Sequence, residues 1–503
     1  MTAIGDEHSI LLKLIFHQQR YLYIDPPYRV FLECVILALQ AVAAVRLELE
    51  SPIESASQSN NRLSKRSPVE LGGDINKCYR MKFNIYGINL NLQVDSVMSD
   101  TIVPYPTSKN NLGLDILSIT SGRLVTIEYK GKEYRGVSFT ATVTIPGTSI
   151  TDIGLPVVAV EKQSPDIVGI SPNFDGVFGI GYPSLSKRRP QTTVLDVLYN
   201  DGVISNNEIG LQLCPYGMRS KSFINIGNTD VTAKCGTNGR SVAWVDSPSH
   251  GRHSVNIKSI LVNDELVELP EEFQKNQGED GRILYSYLHT CLLYMRFPEV
   301  VVTALISAIV DSDAITVKNN MLERKRKLNP EDIDDIFWKH HLMVRSNFHI
   351  DWIKLPSLTI TMFAQTPVTD ANRNSLVTIT LGPKDYIQRV DSKHVRFTVT
   401  AGSNENAALG ISFMARLILT FDLQNARIGF GPGCGCELST DGYPIISNND
   451  RVLWSPSQLP EQPSTSSSDG TSTLRRSFSR FGSTLRDSAR RSSRRLKFNY
   501  KKT

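Results

Sequence analysis

Residues Phe174–Ser186 read FDGVFGIGYPSLS, and in them an apolar pair, Val177-Phe178, runs directly into Gly179. The arrangement recurs late in the chain. Ala408–Phe430 reads ALGISFMARLILTFDLQNARIGF, with Ala408-Leu409 ahead of Gly410 and a closing hairpin behind. Upstream of both, Leu90–Pro104 reads LNLQVDSVMSDTIVP: an apolar strand that delivers Asp95, a polar loop, and another strand. LPSLTITM and VTITLGPKDYI fall between the two glycine segments. Thr, Val and Ile are abundant between Gly- and Pro-rich turns, and long helical periodicities are few, so the chain reads as mostly β.

Working outward, KFNIYGINLNLQVD alternates polar and apolar residues around Gly87-Ile88-Asn89, as a hairpin does. Val125–Ile145 (VTIEYKGKEYRGVSFTATVTI) is a second hairpin with Lys130-Gly131-Lys132 near its tip. Pro298–Ile309 reads as a helix with proline in its first turn. Asn329-Pro330-Glu331-Asp332 starts another that is expected to run to about Leu342. The charged LERKRK before it reads as a solvated insertion.

The 503 residues are 40% hydrophobic and 21% charged, enough apolar material for a sizeable core. The net charge of +5 hides an asymmetry: Arg475–Lys502 holds eleven Lys/Arg against the single acid Asp487, which leaves the body mildly acidic. Nothing in that body suggests a nucleic-acid groove. The Ser/Thr/Pro/Arg-rich composition of 455–503 predicts disorder in isolation. Leu474, Phe478, Phe481 and Leu485 would share one face of a basic helix, a layout that suits an anionic membrane surface; a plain solvated tail fits equally.

Val30–Val45 (VFLECVILALQAVAAV) is short and polar for a bilayer span of ~20 residues but suits a signal-peptide core, with Ala41-Val42-Ala43 as a cleavage motif. The 29 residues ahead of it leave open a downstream start, a signal anchor or a buried helix. Residues 46–77, with the dibasic Lys65-Arg66, read as a propeptide or a linker. Apart from Cys34, six cysteines (Cys78, Cys214, Cys235, Cys291, Cys434, Cys436) lack C-x-x-C pairing and fit a few disulfides in a large secreted domain, with free buried thiols as the alternative.

In order and content these segments resemble the pepsin family of aspartic proteases, from about Tyr79 to Cys434, and most nearly its memapsin (β-secretase) branch. The resemblance implies two β lobes about a pseudo-twofold axis, here about 78–220 and 221–437; by composition, 438–503 is expected to be a disordered, Ser/Arg-rich basic tail. GLQLC (Gly210–Cys214) and ARIGFGPGC (Ala426–Cys434) sit where that branch pairs cysteines, implying a bond from Cys214 to Cys434 or Cys436. Each lobe of the family presents an Asp-Thr/Ser-Gly loop beneath its apolar-apolar-Gly segment. The two aspartates share a water; because both cannot ionise together, one acts as base and the other as acid.

The first loop here is Asp95-Ser96-Val97: carboxylate and hydroxyl are kept, and a β-branched valine replaces glycine. The second is expected within Gly281–Pro298 (GRILYSYLHTCLLYMRFP), where no Asp or Glu occurs between Gly281 and Phe297. Setting Ile283-Leu284 on the apolar pair puts Tyr285-Ser286-Tyr287 on the motif, so Tyr285 is expected at the position of the lost aspartate and Ser286 beside it. Asp280 lies in the polar QGED turn rather than after an apolar strand. A tyrosine, with a reference pKa of ~10, is only a neutral donor at acid to neutral pH. The expectation is therefore a pseudoprotease.

The binding side is better kept. Tyr129 and Gly136 match the family's flap, which closes over an extended peptide, and Ser96 and Ser286 complete the expected contacts. His289 beside Cys291 reads as structural, and His340-His341 as surface. There is no P-loop, no phosphate-cradling glycine motif and no N-x-S/T sequon. The expected protein thus holds a peptide or protein in its cleft, without cofactor or metal, as a monomer in the secretory pathway, secreted or membrane-associated. The alternatives are an endopeptidase using Asp95 with an unrecognised second acid, and a surface protein whose cleft is closed.

Overall fold

The computed structural model describes residues 45–49, 78–104, 122–129, 131–146, 148, 150–160, 176–213, 222–227, 242–249, 251–275, 282–319, 324–432 and 442–453. They form a mostly β, two-lobed body. The hairpin read around Gly87 consists of Arg80–Ile85 and Ile88–Asp95, joined by Tyr86 and Gly87 at φ 48° and 84°. Two successive positive φ values give a turn whose twist matches that of the strands, and glycine takes the second position without strain. The hairpin opens a seven-stranded sheet in the order 80–85, 88–95, 177–179, 102–104, 153–160, 132–144, 123–129, and 80–85 pairs back onto 132–144.

The second half repeats the heart of this design. In the first half Gln93–Asp95 runs parallel to Val177–Gly179, Ile102–Pro104 runs parallel to Val158–Val160, and Ile102 also pairs antiparallel with Val177. In the second, Tyr287-Leu288 runs parallel to Ala408-Leu409, Met295–Phe297 runs parallel to Val399–Ala401, and Arg296 pairs antiparallel with Ala408. A six-stranded sheet joins the halves in the order Val45–Leu49, Ser222–Ile226, Glu208–Gln212, Leu417–Asp422, Arg427–Pro432, Ala243–Asp246. Val45–Leu49 borders the expected targeting segment and begins the expected propeptide or linker; it is an edge strand of this sheet, with Val45 opposite Ile226.

One large apolar core runs through both halves, with Phe83, Phe178, Phe297, Phe397, Phe413, Phe421 and Phe430 among its members. The hairpin Arg123–Tyr129 and Lys132–Thr144 stands on a smaller cluster of its own, in which Ile127, Tyr129 and Tyr134 pack on Ile102, Val158, Val160 and Val177. Burying each such aliphatic side chain contributes roughly 1.5–3 kcal/mol, enough to hold the hairpin against the sheet.

The helix read from Pro298 is Glu299–Asp311, with Pro298 as its N-cap and Val301, Val302, Leu305, Ile306 and Ile309 buried. The second helix begins as read, with a reciprocal Asn329–Asp332 capping box, but stops short of Leu342. Its last turn is a π turn ending at Trp338, and His340 then adopts φ 55°, a left-handed conformation that a helix cannot continue through. LERKRK is less free than an insertion read as solvated: Arg324–Lys327 is a strand paired with Thr316–Asn319. Among the described residues no helix is long and apolar enough to cross a membrane.

Candidate active site

Pairing in the two halves fixes which residues are equivalent. Gln93 faces Val177 as Tyr287 faces Ala408, so Val94 corresponds to Leu288 and Asp95 to His289. The spacings agree: Ile102 lies seven positions after Asp95, and Arg296 seven after His289, these two being the residues that make the single antiparallel pairs. The second loop is therefore His289-Thr290-Cys291.

This corrects the expected register by four residues. Tyr285 does not stand opposite Asp95; it lies ahead of the strand Ser286–Leu288, with its N–H donating to Ile283 O at 3.1 Å. Ser286 is fully buried, and its hydroxyl accepts from the Ala407 N–H at 3.0 Å, so it faces the fold rather than a ligand. The misplaced register came from matching the wrong apolar pair, since Tyr287-Leu288 and not Ile283-Leu284 leads into the loop. A signal for the right one was present: Pro104 follows Asp95 by nine residues, and Pro298 follows His289 by nine. Asp280 lies outside the described residues.

Both loops sit beneath their glycines. A Cβ on Gly179 would come within 2.7 Å of Asp100 O, and one on Gly410 within 2.2 Å of Tyr294 O, so only glycine lets each strand pass so close. The loops then clasp each other. Ser96 N–H donates to Thr290 Oγ1 at 2.9 Å, and Thr290 N–H donates to Ser96 Oγ at 3.0 Å. Ser96 Oγ donates onward to Leu288 O at 2.9 Å, and Thr290 Oγ1 to Val94 O at 2.7 Å. Ser96, expected to touch substrate, is instead wholly buried in this clasp.

At the centre Asp95 is completely buried, and the Nε2 of His289, a side chain 20% exposed, lies 3.7 Å from its Oδ1. The Val97 N–H donates to the same oxygen at 2.9 Å. The other oxygen, Oδ2, accepts from the Tyr129 hydroxyl at 3.0 Å. Burial, with the neighbouring Asp95 charge and hydrogen bond adding to it, pushes the Tyr129 phenol well above its ordinary range, so it is a fixed donor. Tyr129 sits at the end of its strand beside the hairpin turn, opposite Lys132. Gly136 lies in the returning strand, where a Cβ would come within 2.6 Å of Ala159 O; neighbouring backbone, not a ligand, requires that glycine.

Two further groups tie the loops to the body. Cys291, at the glycine position of the second loop, is disulfide-bonded to Cys78 at the entrance of the first hairpin, 213 residues away in sequence. The partners implied earlier, Cys214, Cys434 and Cys436, lie outside the described residues. His253 is fully buried; its Nε2 donates to Ile180 O at 2.7 Å, and its own carbonyl accepts from Leu288 N–H at 2.9 Å. It thus joins the segment after Gly179 to the strand that delivers His289. Its ring lies between Tyr182 and Phe421, at centroid distances of 4.8 and 4.2 Å, and burial holds its pKa down to about 4.

The family's hydrolysis divides one proton between two carboxylates. Here a carboxylate, an imidazole and a phenol converge instead. A neutral imidazole can accept the Asp95 proton or share one with it, and an imidazolium would pair with the carboxylate. Among the described residues no set of three His, Cys, Asp or Glu side chains could hold a metal ion.

Comparison with known proteins agrees with this architecture. The model of the eukaryotic aspartyl protease family matches residues 118–433, from just before the hairpin of Tyr129 to the end of the interlobe sheet. Pepsin II-1 of Oryctolagus cuniculus is 27% identical over 118 residues, 24% of this chain and 29% of that protein. Pepsin II-2/3 of the same organism is 26% identical over 154 residues, 28% of this chain and 38% of that protein. The matched stretches thus span about a third of these relatives' lengths. With a family match over more than half its length, and two half-structures that repeat one pairing pattern, this chain belongs to the pepsin-like, eukaryotic aspartyl protease family.

Proposed function

We propose that this protein binds an extended peptide or protein segment in the cleft between its halves and does not hydrolyse it by the two-carboxylate route. One observation carries the reading: His289, not an acid, stands opposite Asp95, 3.7 Å from its Oδ1. Two carboxylates so placed would hold a shared proton and a water between them; an Asp–His pair attracts rather than repels, and binds its proton in a different place. The Tyr129 contact occupies the remaining oxygen of Asp95. The clasp and the hairpin support retention of the cleft as a binding surface.

A second reading is favoured by the same distance. With Asp95 as base and His289 as the acid, the chain would be a weak endopeptidase whose second acid is an imidazolium. Incubating the full chain with a mixed peptide library from pH 4 to 7 separates the two. The binding reading expects no cleavage above background, and micromolar or tighter capture of a pepstatin-type transition-state mimic. Cleavage abolished by both Asp95→Asn and His289→Ala would establish the second reading and overturn the first. Failure to cleave or to capture any peptide would leave a closed cleft as the outcome.

The proposed setting is the secretory pathway, as a secreted or membrane-associated monomer, with the basic tail meeting an anionic membrane surface. The tail begins later than 438: Ile445–Asn448 is a strand paired onto Leu376–Leu381 of the body, and Arg451–Leu453 pairs onto it in turn. Residues 454–503 lie outside the described ones, so the membrane role rests on composition alone.

A further inference from the structure

A pocket of about 620 Å³ opens among the strands Met295–Phe297, His394–Phe397 and Val399–Ala401 and the turn that follows Trp338. Its wall includes Arg296, Arg396, Tyr294, His340 and Thr400, and none of the described side chains lining it is acidic. It shares no side chain with the Asp95–His289 centre. Two other basic side chains that line it are already engaged: Lys339 with Asp334 and Asp335 at 2.7 and 3.0 Å, and His341 with Asp335 at 3.6 Å.

Among the described residues the two arginines are not so engaged. Arg396 Nη1 donates to the Tyr294 hydroxyl at 3.3 Å, while its Nε is buried with no acceptor among the described residues. His340, expected at the surface, is instead half-buried, with its ring 4.9 Å from that of Tyr294 and 6.4 Å from that of Phe397. Burial first, and then the Arg396 charge, hold its imidazole below the ordinary range. Guanidinium forks with unfilled donors, in a concave wall whose described side chains include no acid, match the geometry of a tetrahedral oxyanion, which would also offset their mutual repulsion.

We infer that this pocket is a binding site for a phosphate-class oxyanion, held by the forks of Arg396 and Arg296 with the Tyr294 and Thr400 hydroxyls as further donors. The same chemistry is offered by free phosphate and by a lipid phosphate headgroup.

The test is titration of the full chain with inorganic phosphate, followed by calorimetry and phosphorus NMR. Saturable single-site binding is expected. Arg396→Lys, which keeps the charge but loses the fork, and Arg296→Met at the exposed rim should each weaken it about tenfold or more. Lys339→Met, whose partner acids already hold it, should change it by less than about twofold. Thermal unfolding without phosphate checks that each variant folds. Sedimentation with phosphatidylcholine vesicles, with and without phosphatidic acid, assigns the source: binding that needs phosphatidic acid and both arginines points to a lipid headgroup, and binding to inorganic phosphate alone to a free anion. No saturable binding to either, or equal weakening by all three variants, overturns the site.

Discussion

Ser96 and Thr290 exchange backbone-to-hydroxyl hydrogen bonds across the two halves, at 2.9 Å in one direction and 3.0 Å in the other. Each hydroxyl also donates to a backbone carbonyl of the opposite half, so both side chains in the clasp donate and accept at once. It holds Asp95 and His289 together whatever chemistry they perform.

Thr290→Ala would orphan the Ser96 N–H and the Val94 carbonyl inside a buried site. Each orphaned group costs about 1–3 kcal/mol, and Thr290→Ser should recover most of the loss. Urea unfolding with an unchanged m-value checks this; a loss below 0.5 kcal/mol for the alanine variant would show that the clasp is dispensable.

Tyr129→Phe removes the donor to Asp95 Oδ2. A hydrogen bond to a charged group contributes about 1.5–3 kcal/mol, and a cleft ligand reaching Asp95 must displace it. Affinity for a pepstatin-type mimic should therefore rise on the order of tenfold while the folded protein loses some stability. Unchanged affinity would mean that the phenol does not compete with ligands.

Breaking the Cys78–Cys291 bond by Cys78→Ser should lower stability by roughly 2–5 kcal/mol, because the bond closes a long loop in the unfolded chain. Cys291 also sits next to Thr290, so proton exchange at the second loop should quicken. Hydrogen exchange in the two forms measures both effects.

His253 gives the protein a pH profile of definite sign. Its folded pKa of about 4 lies below the ordinary value of 6.5, because burial penalises the imidazolium. Above pH 6.5 neither state is protonated and the group is neutral in effect. Between 6.5 and 4 the unfolded chain takes up a proton that the fold refuses, so stability falls with acid, by about 3 kcal/mol across the window. His253→Gln should flatten the melting temperature over that range; an unchanged slope would exclude His253 as its source.

His289→Asp would place two carboxylates at the centre. Like charges raise the pKa of one of them in the fold, so this variant's stability is greatest below the raised pKa and declines as pH rises through it. Relative to wild type, its melting temperature should be higher at pH 4.5 than at pH 7. The opposite tilt would mean that residue 289 does not face Asp95.

The fold was legible because it is written in local patterns. Alternation and turn glycines drew the hairpins at Gly87 and Gly131, Asn329 and Pro298 marked helix starts, and the two apolar-apolar-Gly segments announced the repeated halves. Helix ends were less legible: His340 breaks the second one through a backbone conformation that tertiary packing against Tyr294 and Phe397 imposes.

The sequence alone excludes an acid from the stretch between Gly281 and Phe297, since no Asp or Glu lies there in any register. Which residue takes its place was not. That depends on the parallel pairing of Tyr287-Leu288 with Ala408-Leu409, two segments 121 residues apart, and strand register is a property of the assembled sheet. Only the tertiary structure brought His289 to 3.7 Å from Asp95, set the Tyr129 hydroxyl on the other carboxylate oxygen, and joined Cys291 to Cys78. Side-chain chemistry is carried by the chain; the encounter of distant side chains in one buried site is decided by packing.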